Sequence, residues 1–264
     1  IGAMGDKVTS RRLMQAAGVP IVPGSTETLS VDAAVEFARE IGLPVMAKAS
    51  AGGGGRGLRL IREAAELLPS IVRARSEARS SFGDDSIYVE KLVSKPRHIE
   101  VQILGDSRGN VVHLFERECS VQRRHQKLIE EAPANRMTPD LRERICAAAV
   151  AAARAVGYEG AGTVEFLVDE KQAFYFLEMN TRVQVEHPVT ELITNVDIVK
   201  TGIRIAAGEP IGFSPGDLRI DGWAIECRIC AEDPDRGFLP SPGEIVAFEP
   251  PGGPGVRVDS GVSA

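Results

Sequence analysis

Apolar residues recur at helical spacing in some stretches of the chain and strictly alternate with polar ones in others. Helical spacing predicts a first helix over residues 7–17, with Asp6 as its N-cap and Gly18 stopping it before Pro20. The turn-rich segment Pro20-Ile-Val-Pro-Gly-Ser follows. Val31, Ala34, Val35 and Ala38 then mark a second helix, beginning after Ser30 and ending at Gly42. Residues 44–49 and 58–61 read as strands on either side of a glycine run. Residues 63–81 read as helix, with Pro69 tolerated as the start of a new first turn. A strand over 87–92 closes this unit.

From Arg97 onward strict alternation takes over. His98, Glu100 and Gln102 share one face of a strand, and Ile99, Val101 and Ile103 share the other. A turn over 105–110 leads back into a strand over 111–115, so this is a hairpin. Thr138-Pro139 opens an alanine-rich helix that runs to Gly157, its small side chains suited to lying close to a sheet. A second hairpin joins 162–168 to 173–179. Helical segments over 188–207 end at Gly208, and strands with Pro/Gly turns return from Asp221. The pattern contains no internal repeat. It predicts an α+β fold with a mostly antiparallel central sheet, not an alternating parallel one.

Composition narrows the picture. With 43% hydrophobic and 26% charged residues, 264 residues can bury a real core, which excludes disorder as the dominant state. The balance of 31 basic against 37 acidic residues gives −6, which disfavours nucleic acid as a partner. The longest apolar run, residues 145–153, is mostly alanine and about half of what a bilayer needs, so no membrane span is expected. Cys119, Cys146, Cys227 and Cys230 read as buried reduced thiols of an intracellular protein. Cys227 and Cys230 lack the second pair that structural zinc wants, and on a strand they would point to opposite faces. The first residue is Ile1, so the natural start is expected to lie upstream, and any targeting segment with it.

Two features carry chemistry. Gly52, Gly54 and Gly57 formally match a dinucleotide fingerprint, but a strand follows where that fold needs a helix, and no Gly-Lys-Ser/Thr is present for a P-loop. What survives is a glycine-rich hairpin whose backbone N–H groups, from Gly53, Gly54, Gly55 and Gly57, can lie over nucleotide phosphates. Lys48 on the entering strand is within reach of them. The second feature is the hairpin from Thr163 to Glu178. If its loop spans about 170–173, residues whose numbers sum to 343 stand opposite, and 165 + 178 = 343. Glu165 and Glu178 would then face each other, which is unfavourable unless a cation lies between them. Alternation puts Asn180 on the same face as Glu178 and leaves Val164, Phe166 and Val168 on the reverse face. Two carboxylates and an amide oxygen near a phosphate loop describe a Mg²⁺ site.

Six ordered segments resemble the signatures of biotin carboxylase, the ATP-grasp component of biotin-dependent carboxylases. They are Met4-Gly-Asp-Lys7, the Lys48–Gly57 loop, Pro96-Arg-His-Ile-Glu-Val-Gln102, Glu116-Arg-Glu-Cys-Ser-Val-Gln-Arg-Arg-His-Gln-Lys127, Glu178-Met-Asn-Thr-Arg-Val-Gln-Val-Glu-His-Pro188 and Glu226-Cys-Arg228. The resemblance implies that Lys7, Lys48, Glu90, Lys91, Val93, His98, Gln122 and His125 contact ATP, with residues 90–93 holding adenine at a hinge. It implies Glu165, Glu178 and Asn180 as ligands of Mg²⁺ or Mn²⁺, two ions in all. Lys127, Arg182, Gln184, the Val185 backbone and Glu186 would bind bicarbonate, with Glu186 as the base, and Arg228 would sit beside biotin. Arg182, Gln184 and Glu186 are expected on one face of a strand over 183–185.

The same resemblance implies a lead-in helix over 1–20, a lid over 21–93, a catalytic core over 94–220 and the start of a C-terminal domain from 221. It implies a biotin carboxyl carrier and a carboxyltransferase as partners, a homodimer in the complete form, and a cytoplasmic location, or the mitochondrial matrix in a eukaryote. Another ATP-grasp ligase, joining a carboxylate to an amine, and an inactive nucleotide-binding fragment stay open as alternatives.

Overall fold

The computed structural model describes residues 2–51 and 57–263, which divide into compact units 1–227 and 228–264. In the first unit, α1 (Gly2–Gly5) and α2 (Lys7–Ala16) lead in, followed by α3 (Val31–Ile41), β1 (Val45–Ala49), β2 (Leu58–Ile61), α4 (Leu67–Phe82) and β3 (Ile87–Lys91). Then come β4 (Arg97–Gly105), β5 (Val111–Arg123), β6 (Gln126–Ala132), α5 (Pro139–Ala155), β7 (Gly160–Val168), β8 (Phe174–Asn180), α6 (His187–Thr194), α7 (Ile198–Ala206) and β9 (Ala224–Cys227). The caps explain several helix limits. Asp6 accepts from the Thr9 N–H, Ser30 from Ala33 and Thr138 from Leu141, each satisfying a donor that the first turn leaves free.

Strands β2-β1-β3 form a small antiparallel sheet. Its apolar face packs on α3 and α4 through Ala34, Ala38, Leu67, Ile71 and Ala74. The remaining strands form one six-stranded sheet, ordered β8-β7-β4-β5-β6-β9, with every neighbour antiparallel. Ile99, Val101 and Ile103 of β4 and Val164, Phe166 and Val168 of β7 pack under α5 and α2, as alternation predicts. The opposite face is polar in its middle, where Glu100, Gln102, Thr163 and Glu165 are all buried. Among the described residues, no helix is long and apolar enough to cross a membrane.

Three local irregularities decide what this polar face contains. Near the turn of the second hairpin Val168 pairs with Phe174, but beyond a bulge at Leu177 the register shifts by one and Glu165 pairs with Glu178. The sum of 343 therefore holds only on the far side of the bulge. Without it, Glu178 would fall on the core face with Phe174 and Phe176. In β5 an extra residue at Phe115, which sits at φ 62°, reverses the alternation. Leu114 packs under α7, and three residues later Arg117 lies on that same side. The third is the tight turn of Arg124 and His125 at φ 51° and 65°, which joins β5 to β6. The strand expected to stop at residue 115 thus runs on to Arg123 and returns.

Two expectations need correction. Residues 183–185 form no strand; Val183 and Val185 are exposed while Gln184 and Glu186 are buried, and Glu186 is the N-cap of α6. Cys119 and Cys146 are buried thiols, but Cys227 and Cys230 are exposed. The division between units falls after Cys227, past the Asp221 at which the pattern changes, because β9 is hydrogen-bonded to β6.

The second unit, 228–264, contains two short paired strands, β10 (Glu232–Asp233) and β11 (Leu239–Pro240), joined through a turn at Gly237.

Candidate active site

The centre of the site is the ammonium of Lys127, carried into the polar face by β6. Its Nζ lies 2.6 Å from Glu186 Oε1, 2.9 Å from Glu165 Oε1 and 2.5 Å from Glu100 Oε2. Burial alone would lower the lysine's proton affinity, but Glu100 and Glu165 outweigh it and hold Lys127 well above the ordinary ammonium range. Glu100 is buried outright, and Arg117 and Lys127 together keep its carboxyl below the usual carboxylate range despite that burial. Glu165 follows the same logic. Desolvation opposes its charge, while His98 and Lys127 keep it ionised to well below the ordinary value. His98 Nε2 stands 3.0 Å from Glu165 Oε2, and that carboxylate raises the imidazole against the effect of burial.

Around this centre the other residues fall into place. Lys7, in the first turn of α2, reaches across to Glu178 Oε2 at 3.0 Å. Asn180 donates to Glu165 Oε1 at 2.9 Å, and Gln184 donates to the same oxygen at 3.0 Å. Gln122 bonds His98 Nδ1 at 3.0 Å, and Arg182 donates to Asn180 Oδ1 at 3.3 Å. Glu165 and Glu178, side by side on adjacent strands and each in contact with a lysine ammonium, are hard oxygen donors of the kind Mg²⁺ takes. The donor set therefore fits a divalent ion, with Asn180 beside it.

A second cluster belongs to the small sheet. Lys48 on β1 pairs with Glu90 on β3, and Arg11 of α2 pairs with the same carboxylate at 3.0 Å. Arg11 also donates to the Val22 carbonyl at 2.6 Å and lies 5.5 Å above the Tyr88 ring. The chain enters this sheet where Gly24 crosses β3: a Cβ there would come within 2.6 Å of the Val89 carbonyl oxygen.

The remaining expected residues have surroundings of their own. The Lys91 ammonium donates to the carbonyls of Gly42 and Leu43 at 2.8 and 3.1 Å, so it caps the end of α3. His125 is exposed at the tip of the β5–β6 turn. Val93 lies in the connector after β3. Arg228 opens the second unit. Gly57, at φ 69°, ends the glycine loop, whereas Gly53, Gly54 and Gly55 fall outside the described residues. The alternation of β4 brought Glu100 to the site face; Arg117 and Arg11 carried no comparable signal. Arg117 follows the bulge that reverses alternation, and Arg11 looks like one polar residue on a helix surface.

Comparison with known proteins identifies the family. The family described as the carbamoyl-phosphate synthase L chain, ATP binding domain, matches residues 6–213, and the biotin carboxylase C-terminal domain matches 226–264. The chloroplastic biotin carboxylase of Arabidopsis thaliana is 56% identical over 99% of this chain and 49% of its own length. The Campylobacter jejuni biotin carboxylase, solved as a β,γ-ATP complex, is 50% identical with a TM-score of 0.94, over 97% of this chain and 57% of that one. The biotin carboxylase domain of Hydrogenobacter thermophilus 2-oxoglutarate carboxylase was solved with MgADP, ADP and bicarbonate. It is 55% identical with a TM-score of 0.92, over 96% of this chain and 56% of that one. The chain spans about half the length of the curated relatives it matches. By these matches, the chain belongs to the carbamoyl-phosphate synthase L chain ATP-binding domain family, in its biotin carboxylase branch.

Proposed function

We propose that the complete protein carrying this chain uses ATP and bicarbonate to carboxylate biotin on a carrier. The observation that carries this reading is the single ammonium of Lys127 held by both Glu165 and Glu186. One of these carboxylates is suited to a metal on a nucleotide and the other to a base on a small anion. Phosphoryl transfer and anion activation therefore share one cation.

The roles follow from charge. Lys7 and Lys48, with His98, Gln122 and His125, face ATP, and the hinge at Glu90, Lys91 and Val93 holds adenine. Residues 21–93 serve as the lid, whose glycine loop covers the phosphates and excludes water from the reactive intermediate. Glu165, Glu178 and Asn180 hold Mg²⁺, or Mn²⁺, which when bound offsets charge on the phosphoryl group. Lys127 and Arg182 make an anion site favourable, Arg182 through its planar fork. Gln184 and the Val185 backbone complete that site. Glu186 takes the bicarbonate proton, and the bicarbonate oxygen attacks the γ-phosphate and releases ADP, giving carboxyphosphate. Carboxyphosphate releases CO₂, its phosphate takes the biotin N1′ proton, and Arg228 stabilises the oxygen of the resulting enolate. A carrier domain, a carboxyltransferase and a second copy of the protein are the partners this scheme requires or favours.

The test is ADP release by the complete protein. It should depend on bicarbonate and rise with free biotin. Stimulation by an amine, with no dependence on bicarbonate, would overturn the reading in favour of a carboxylate–amine ligase.

A further inference from the structure

Arg117 is buried completely, yet none of the roles above uses it. A guanidinium has five N–H donors in one plane. All five are spent here, each on its own acceptor. Nε donates to Glu100 Oε1 at 2.7 Å. One terminal nitrogen donates to Gln102 Oε1 at 2.8 Å and Thr190 Oγ1 at 2.9 Å. The other donates to Thr163 Oγ1 and Gln184 Oε1, both at 3.1 Å. These acceptors come from β4, β7, α6 and the segment before α6. Arg117 thus ties two strands of the site face to the loop that carries Gln184 and Glu186.

The bond to Gln184 has a specific consequence. A glutamine amide has an acceptor end and a donor end of nearly the same shape, and its neighbours decide which way it points. Arg117 can only donate, so it takes the Gln184 oxygen. The NH₂ end is then directed forward, where it reaches Glu165 Oε1 at 3.0 Å beside Lys127. An anion at that point needs the donor; the carbonyl end would repel it.

We propose that Arg117 is a positioning residue that selects the amide orientation of Gln184 and so gives the bicarbonate site a donor in place of an acceptor. This rests on the reading of Gln184 as part of a bicarbonate site. Lysine keeps the charge but has three donors on one atom and cannot span the same acceptors. The proposed effect is therefore on orientation, transmitted through the Gln184 amide, while the charge beside Glu100 is kept.

The experiment is a double-mutant cycle in the complete protein, using Arg117→Lys, Gln184→Met and the pair, with sodium bicarbonate as the varied substrate and MgADP binding measured separately. Arg117→Lys should raise the bicarbonate KM about tenfold, the scale of one lost charge-assisted hydrogen bond. MgADP affinity should stay within about twofold. The double variant should be no worse than Gln184→Met, because the arginine acts through that amide. Thr190→Val removes one acceptor of the guanidinium and keeps every charge. It should raise the bicarbonate KM about threefold and lose that effect in the Gln184→Met background. Should Arg117→Lys not fold, this second cycle decides. Additive effects, or bicarbonate KM and MgADP affinity moving together, would overturn the inference and leave the proposed function standing. A wild-type rate that ignores bicarbonate would overturn both.

Discussion

Removing Arg11 tests how the small sheet is tied to the core. Arg11 and Glu90 have side chains only 4% and 5% exposed, and their 3.0 Å contact joins α2 to β3. Breaking a buried pair by deleting one partner costs about 3–5 kcal/mol, because the remaining charge stays buried. In Arg11→Met the carboxylate keeps Lys48, which puts the cost at the low end. The Val22 carbonyl also loses its charged donor, a further ~1 kcal/mol. Methionine retains most of the packing against Tyr88. The expected destabilisation is therefore about 3–4 kcal/mol, a large share of an ordinary domain's 5–15 kcal/mol. Urea unfolding of wild type, Arg11→Met, Glu90→Gln and the double variant measures it. The double variant should be less destabilised than the sum of the singles by more than about 1 kcal/mol. Lys48, then the sole cation on Glu90 among the described residues, should also release less readily to a phosphate and weaken MgADP binding about threefold to tenfold. Additivity to within about 0.5 kcal/mol would show that the pair contributes no coupling between α2 and β3.

Other expectations follow from the same geometry. Gly24→Ala places a methyl against the Val89 carbonyl and Glu90 Cα at 2.6 and 2.7 Å. Thermal unfolding should show a loss of about 1–3 kcal/mol. Glu178→Gln removes one of the two facing carboxylates. Calorimetry should find nucleotide binding that has lost most of its Mg²⁺ dependence, and an unchanged titration would contradict the metal assignment. His113 is lowered by burial alone, so the unfolded chain binds a proton more readily than the folded one. Stability should fall as pH drops from about 6.5 toward the folded value and level off below it. His113→Gln should remove that slope from acid unfolding curves. Glu186→Gln in the complete protein should keep MgADP affinity and lose bicarbonate-dependent turnover, with unchanged turnover rejecting Glu186 as the base.

Much of this could be read along the chain, and the failures share one cause. Helix caps at Asp6, Ser30 and Thr138 and the alternation of β4 are short-range signals, and each is realised in the structure. Register is a longer-range property. One bulge at Leu177 brings Glu178 opposite Glu165, and the irregularity at Phe115 turns Arg117 toward the site. Neither leaves a glycine or proline as a marker. The β5–β6 turn uses Arg124 and His125 in left-handed conformations that asparagine or glycine would normally announce, which hid the strand carrying Lys127. Residues 183–186 alternate in burial without being a strand, so Gln184 and Glu186 point inward for a different reason, while Arg182 is exposed. Lys91 shows another limit: nothing along the chain announces that its ammonium lies on the end of α3.

In the proposed reaction bicarbonate oxygen attacks the terminal phosphate of ATP, and isotope transfer follows that bond directly. With bicarbonate labelled in all its oxygens with ¹⁸O, turnover by the complete protein should deliver one labelled oxygen to each phosphate released. That oxygen bridged carbon and phosphorus in carboxyphosphate and stays with phosphorus when CO₂ departs. Phosphate carrying oxygen from water instead would contradict the account, because it would mean that water is the nucleophile at phosphorus.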